Sequence, residues 1–120
     1  MKRVLLVDDD PDILEALRQA LEDSFEIRLA HDGREAVAAL EREPIDALVL
    51  DLMMPVLDGP GVLAAMRDKG MRTPVIIVSA GADAGRVARR EGIPNWFSKP
   101  FDLGELEKTL QKLVGEPVAS

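Results

Sequence analysis

Five polar side chains stand where apolar runs stop, and together their types suit phosphoryl chemistry. Val4-Leu5-Leu6-Val7 runs into Asp8-Asp9, Ala47-Leu48-Val49-Leu50 stops at Asp51, Val75-Ile76-Ile77-Val78 stops at Ser79, and the short run from Asn95 to Ser98 leads to Lys99. An acid at the tip of a buried strand is costly unless something there needs it. Three carboxylates gathered at one place repel by about 4 kcal/mol per pair at 4 Å and an effective dielectric near 20. A hard divalent cation removes that cost. Mg²⁺ suits such a site because it takes a few oxygen ligands, keeps waters and bridges to phosphate, with Mn²⁺ as a substitute. The cluster holds no histidine, which argues against zinc; His31, the single histidine, follows the second strand and reads as a surface residue.

A carboxylate beside Mg²⁺, flanked by a hydroxyl and an ammonium, matches phosphoryl transfer onto the carboxylate itself. An acyl phosphate at Asp51 would have its oxygens held by Mg²⁺, Lys99 and the Ser79 hydroxyl. An already ionised nucleophile needs no general base, so the chemistry reduces to positioning and charge neutralisation. Taken singly, a strand-ending acid, a turn serine and a surface lysine are ordinary. Their coincidence at four strand ends is not.

The elements that must bring them together follow from periodicity. The first, third and fourth apolar runs are continuous, as in strands buried on both faces. Phe25 to Ala30 alternates, as a half-exposed edge strand should. Asp10-Pro11 caps and opens a first helix with a Leu14, Leu17, Leu21 stripe. Asp32-Gly33 opens a second helix whose inner face is Ala36, Val37 and Leu40, and Pro60 a third with Val62, Leu63 and Met66 inward, closed by Gly70. The fourth helix, about Asp83 to Glu91, contains Gly85 and few large apolar residues, so it should be weakly held. Asp102 and Glu105 make a capping-box-like start for the fifth, with Leu103, Leu106, Leu110 and Leu113 as its stripe.

Five strands alternating with five helices predict a parallel sheet with right-handed crossovers, a flavodoxin-like (βα)5 three-layer α/β sandwich. The edge character of the second strand favours the order 2-1-3-4-5. Ligands bind such a sheet beyond the carboxyl ends, at the switch between strands 1 and 3, where Asp8, Asp9 and Asp51 emerge.

Composition bounds the rest. At 120 residues and 47% hydrophobic, the chain is one globular domain over residues 1–115, with 116–120 a tail or linker stub. Zero cysteines exclude disulfides, thiolate metal sites and thiol catalysis. No apolar run approaches the ~20 residues of a membrane span, and no signal-peptide pattern precedes the first strand, so the cytoplasm is the expected compartment. Net charge is −7, with 6 Lys/Arg against 15 Asp/Glu in residues 1–66 and 9 against 7 in residues 67–120. The acidic half disfavours nucleic acid and anionic membrane as direct partners.

Over essentially its whole length the sequence resembles a receiver domain of the two-component response regulators. The matching stretches are Leu5-Leu6-Val7-Asp8-Asp9-Asp10-Pro11, the segment from Asp51 to Gly59, Val75-Ile76-Ile77-Val78-Ser79-Ala80, and Trp96-Phe97-Ser98-Lys99-Pro100-Phe101-Asp102. The resemblance implies Asp51 as phosphoacceptor, with Asp9, Asp51 and the Met53 carbonyl as protein ligands of Mg²⁺ and Asp8 acting through water. It implies Ser79 as the hydroxyl that senses phosphorylation, Lys99 as the phosphate-binding lysine, and a cis peptide bond before Pro100. Trp96 stands at the switch-aromatic position, where the family usually has tyrosine or phenylalanine. That departure bears on the extent of the aromatic movement, which offers the ring two homes: outward over the last helix, or inward behind Ser79.

The implied donor is a histidine kinase or histidine phosphotransfer protein, and the domain would catalyse its own modification and dephosphorylation without being a turnover enzyme. The responding surface would be the fourth helix, fifth strand and fifth helix, carrying Arg86, Arg89, Arg90, Lys108 and Lys112, with homodimerisation through that face as one use of it. Nothing after Val114 resembles a DNA-binding module, so direct nucleic-acid binding by this chain is not expected. A haloacid-dehalogenase-like hydrolase would need a second acid two residues after the nucleophile, and that position is Met53. The intact set of Asp8, Asp9, Asp51, Ser79 and Lys99 argues against a pseudo-receiver, and the acidic rim would repel the phosphate of a flavin.

Overall fold

The protein's structure, a computed structural model, describes residues 1–80 and 83–115. Strands and helices alternate as β1 (Arg3–Val7), α1 (Pro11–Leu21), β2 (Glu26–Ala30), α2 (Gly33–Arg42), β3 (Ala47–Asp51), α3 (Gly59–Asp68), β4 (Val75–Ala80), α4 (Asp83–Glu91), β5 (Asn95–Lys99) and α5 (Leu103–Leu113). The tail expected over 116–120 lies outside the described residues. The strands form one parallel sheet in the order β2-β1-β3-β4-β5, as expected. No helix among the described residues is long and apolar enough to cross a membrane.

Strand alternation divides the interior in two. Val4, Leu6, Val49, Ile76 and Val78 face α1 and α5, where they meet Leu14, Leu17, Leu21, Leu106 and Leu110. Leu5, Val7, Leu48, Leu50 and Ile77 face the other way, toward α2, α3 and α4. The continuous apolar runs are therefore two interleaved faces, each covered by helices.

Local signals set the helix starts. Asp10, Asp32, Asp58 and Asp102 are the N-caps of α1, α2, α3 and α5, each accepting a backbone N–H from the first turn. Two expected inner faces differ in detail. In α2 the fully buried positions are Gly33, Ala36 and Ala39, with Val37 and Leu40 half-buried at the flanks, because small residues three apart let the helix lie close. In α5 Leu103 is 39% exposed, because it is the first residue after the Asp102 cap and stands at the rim.

The loop from β3 to α3 is fixed by close approaches. The Gly59 N–H donates to the Leu52 carbonyl at 3.0 Å, and a Cβ at Gly59 would come within 2.7 Å of Leu52 Cα. The Leu57 N–H donates to the Pro55 carbonyl at 2.8 Å across Val56, whose φ is 71°. A β-branched residue is strained there by roughly 1–2 kcal/mol, and persists only where its surroundings over-determine it. Those surroundings include Gly33, where an added Cβ would collide with the Leu57 carbonyl oxygen. Gly33→Ala should therefore push backbone against backbone and destabilise the fold by about 1–3 kcal/mol in urea titrations. Unchanged stability would show that the loop is free to move away.

Candidate functional site

The parallel sheet delivers every strand's carboxyl end to one edge, and the acidic residues collect there. Asp8 leaves β1 and is 2% exposed; Asp51 is the last residue of β3 and is 4% exposed; Asp9 is exposed at the rim. One carboxylate oxygen from each of Asp8, Asp9 and Asp51 lies within 4.8 Å of the others. Lys99, the last residue of β5, reaches across β4 to them. Its ammonium donates to Asp8 Oδ2 at 2.7 Å and lies 3.7 Å from Asp51 Oδ2.

The hydrogen bonds leave Asp51 less supported than Asp8. Asp8 Oδ1 accepts the Asp10 N–H at 2.9 Å in addition to the lysine. Asp51 Oδ1 accepts the Met53 N–H at 3.4 Å, a long bond. Burial, and after it the Asp8 charge, push the Asp51 carboxyl up to about 6, against the pull of Lys99 and the Met53 N–H, while Asp9 adds a smaller push. Burial works against the Lys99 ammonium, but the hydrogen bond to Asp8 and the Asp51 charge outweigh it and hold the group above its ordinary value. A buried carboxylate with few hydrogen bonds and a nearby cation still ionises at neutral pH, and such a group can act as a nucleophile.

The donor set also fits a hard cation. Three carboxylates facing one ammonium leave two negative charges in excess when all are ionised. The ligand atoms are all oxygen, and exposed Asp9 leaves the cluster open to solvent, as Mg²⁺ with retained waters requires. Asp9 also lines a cleft of about 420 Å³ with Leu52, Met53, Met54, Pro55 and Asp58, room for a phosphoryl donor to approach.

Ser79 is fully buried on β4, one residue beyond the Val78 that pairs with Asp51. Its hydroxyl donates to the Ala80 carbonyl at 3.2 Å. The Lys99–Pro100 peptide bond is cis. His31 is exposed, sits 3.3 Å from Glu35 and is not among the clustered groups. The basic residues expected on the responding surface are partly engaged: Arg86 pairs with Asp83 at 2.6 Å and Arg90 with Glu91 at 3.3 Å, while Arg89, Lys108 and Lys112 are exposed.

Trp96 points outward and is 42% exposed, but its ring rests on α4 and not over α5. Alternation decides this: Phe97 packs toward α1 and α5, so its neighbour Trp96 must face α4. The fold adds two further relations, the Asp8–Lys99 bond and the seat that Gly85 offers Trp96. A glycine inside a short helix was the available signal for the second. The first joins residues 91 apart and has no local signal.

Residues 4–111 match the family described as the response regulator receiver domain. The chain is 43% identical over 115 residues to the transcriptional regulatory protein PrrA of Mycobacterium tuberculosis, covering 93% of this chain and 49% of that protein. It thus spans about half the length of such a relative. Among solved structures, the receiver domain of the Francisella response regulator 1452 superposes with a TM-score of 0.89 at 31% identity, covering 96% of this chain and 98% of that one. The receiver domain of the Pseudomonas aeruginosa sensor histidine kinase PA1611, described with a magnesium ion coordinated in its active site cleft, gives 0.80 at 33% identity over the same shares. Fold, acidic cluster and family match agree, and the chain belongs to the response regulator receiver domains of two-component signalling.

Proposed function

We propose that this domain accepts a phosphoryl group on Asp51 from a histidine kinase or histidine phosphotransfer protein in the cytoplasm, and passes the change to its α4-β5-α5 face. What supports the reading most is Asp51 itself: a buried carboxyl pushed up to about 6, inside an acidic cluster and 3.7 Å from the Lys99 ammonium. An Asp51 oxygen attacks phosphorus in line with the bond to the donor's imidazole nitrogen. That P–N bond breaks, its electron pair stays on the ring nitrogen, and a new O–P bond joins the carboxylate to the phosphoryl group. Lys99 stands beside Asp51 to neutralise a phosphoryl oxygen, and the Ser79 hydroxyl turns from the Ala80 carbonyl to another. Mg²⁺, with Mn²⁺ as a substitute, would be held by Asp9, Asp51 and the Met53 carbonyl with Asp8 through water, and when bound neutralises the charge on the transferring group.

Because Met53 occupies the place where a hydrolase would put a second acid, no side chain is set there to activate water. The domain is accordingly a self-modifying acceptor whose acyl phosphate is lost slowly to water, not a turnover enzyme. With Ser79 drawn toward the phosphate, Trp96 can leave its outward position, changing the face that α4, β5 and α5 offer to a partner or to a second copy.

Acetyl phosphate with Mg²⁺ should add one phosphoryl group, labile to hydroxylamine, as read by intact mass. Asp51→Ala should take up none; full labelling of that variant would refute the assignment.

The same crowding of charge gives a stability test. Burial pushes the folded carboxyl of Asp51 up to about 6, against about 3.9 when unfolded. Between those values the folded state binds more protons, so Asp51 costs stability as pH rises through 6, and that cost is relieved as pH falls toward 4. Without divalent ions, Asp51→Asn should be more stable than the parent at pH 7.5 by roughly 1–3 kcal/mol, with the gain shrinking toward pH 5. Mg²⁺ at ten times its dissociation constant should stabilise the parent by about 1.4 kcal/mol. Asp9→Asn should blunt that response, and an equal Mg²⁺ effect in Asp9→Asn would remove Asp9 from the ligand set.

A further inference from the structure

Gly85 is the third residue of the nine-residue α4. Glycine is a poorer helix former than alanine, and this one is buried, so a packing reason is to be sought. The reason lies above it. A Cβ at Gly85 would stand 2.9 Å from Trp96 Cζ2, 3.1 Å from Cη2 and 3.2 Å from Cε2, so the benzo edge of the indole rests directly on the helix backbone. The other buried residues of α4 are Ala84, Val87 and Ala88, none larger than valine. The helix thus meets the sheet through small side chains, with the indole filling the notch that they leave.

The ring also stands in register with the site. Trp96 pairs with Ile77 across β4 and β5, and Ser79, two residues farther along β4, lies on the same face. One displacement along that face would carry the ring from α4 toward the end of β4 where Ser79 sits. Phe97, on the opposite face, is held by Phe101 at a ring separation of 5.7 Å, so β5 is anchored on one side while Trp96 rests on the other.

We infer that Gly85 is a positioning residue: it provides the seat that holds Trp96 in the resting arrangement and so opposes activation at Asp51. The inference rests on the phosphoacceptor reading above. If the ring occupies the seat only while Asp51 is unmodified, the contact stabilises that state alone. By linkage, filling the seat must then favour whatever binds the other state. The gain in helix propensity from glycine to alanine is common to both states and cancels from the affinity.

The test uses the full chain and beryllofluoride with Mg²⁺ as the phosphoryl mimic, with binding followed by calorimetry. Gly85→Ala should tighten beryllofluoride binding roughly five- to tenfold, since the resting population alone is penalised. In a Trp96→Ala background the same change should have no effect, because the ring that meets the added methyl is gone. Equal affinity in parent and Gly85→Ala, or the same tightening without the ring, overturns the inference. Trp96→Phe, which leaves the notch partly empty with Gly85 in place, should also tighten binding and decides the matter if Gly85→Ala does not fold. Beryllofluoride binding that is absent from the parent, or equal in Asp51→Ala, would instead refute the phosphoacceptor reading. The seat is then judged by acrylamide quenching of Trp96 without ligand: altered quenching in Gly85→Ala supports it, and unchanged quenching overturns it.

Discussion

The accumulation of carboxylates at one edge of the sheet is the interaction on which the rest depends. Asp8, Asp9 and Asp51 converge with one lysine between them. A carboxylate buried as Asp51 is would normally be expelled, neutralised or paired. Here the pairing is partial: Asp8 accepts the hydrogen bond from Lys99, while Asp51 only lies 3.7 Å from the ammonium. That asymmetry leaves one well-satisfied acid and one poorly satisfied acid side by side. A group that brings positive charge or hydrogen-bond donors to Asp51 relieves the imbalance, which is what a hard cation would supply there.

Holding such a site needs a rigid frame, and the frame is built from glycines and tight turns as much as from large apolar residues. Gly33 and Gly59 have no room for a Cβ because Leu57 and Leu52 press against them. The loop carrying Met53 is thereby pinned at both ends, tightly enough to keep Val56 in a left-handed conformation. The strain is local, next to the functional cleft, and is offset by packing elsewhere in the loop.

The two faces of the sheet differ in character, and the difference suits a signalling domain. The face toward α1 and α5 is packed with leucines and Phe25, large groups that resist rearrangement. On the opposite face α4 is attached through alanines, a glycine and one valine, and its last turn is tied to α3 by the Arg67–Glu91 ion pair. A helix held by small contacts is the element that can shift at low cost when the edge beneath it changes. The acidic cluster at the ends of β1 and β3 and the lightly packed α4 thus lie on either side of β4.

Much of this was legible in the chain. Uninterrupted apolar runs identified the interior strands, alternation identified the edge strand, and five strand-helix repeats gave the order 2-1-3-4-5, because right-handed crossovers leave few other arrangements. With the order came the convergence of Asp8, Asp9 and Asp51, since a parallel sheet places all carboxyl ends on one side. Tertiary structure decided the rest. The bond from Lys99 to Asp8 joins opposite ends of the chain, so neither local pattern contains it. Leu103 shares the apolar stripe of α5 yet lies at the rim, because a periodic stripe says which face is apolar and not how far the neighbouring layer extends. Trp96 lies on α4 because Phe97 claimed the other face of β5, a choice between two packed layers that no short-range spacing encodes.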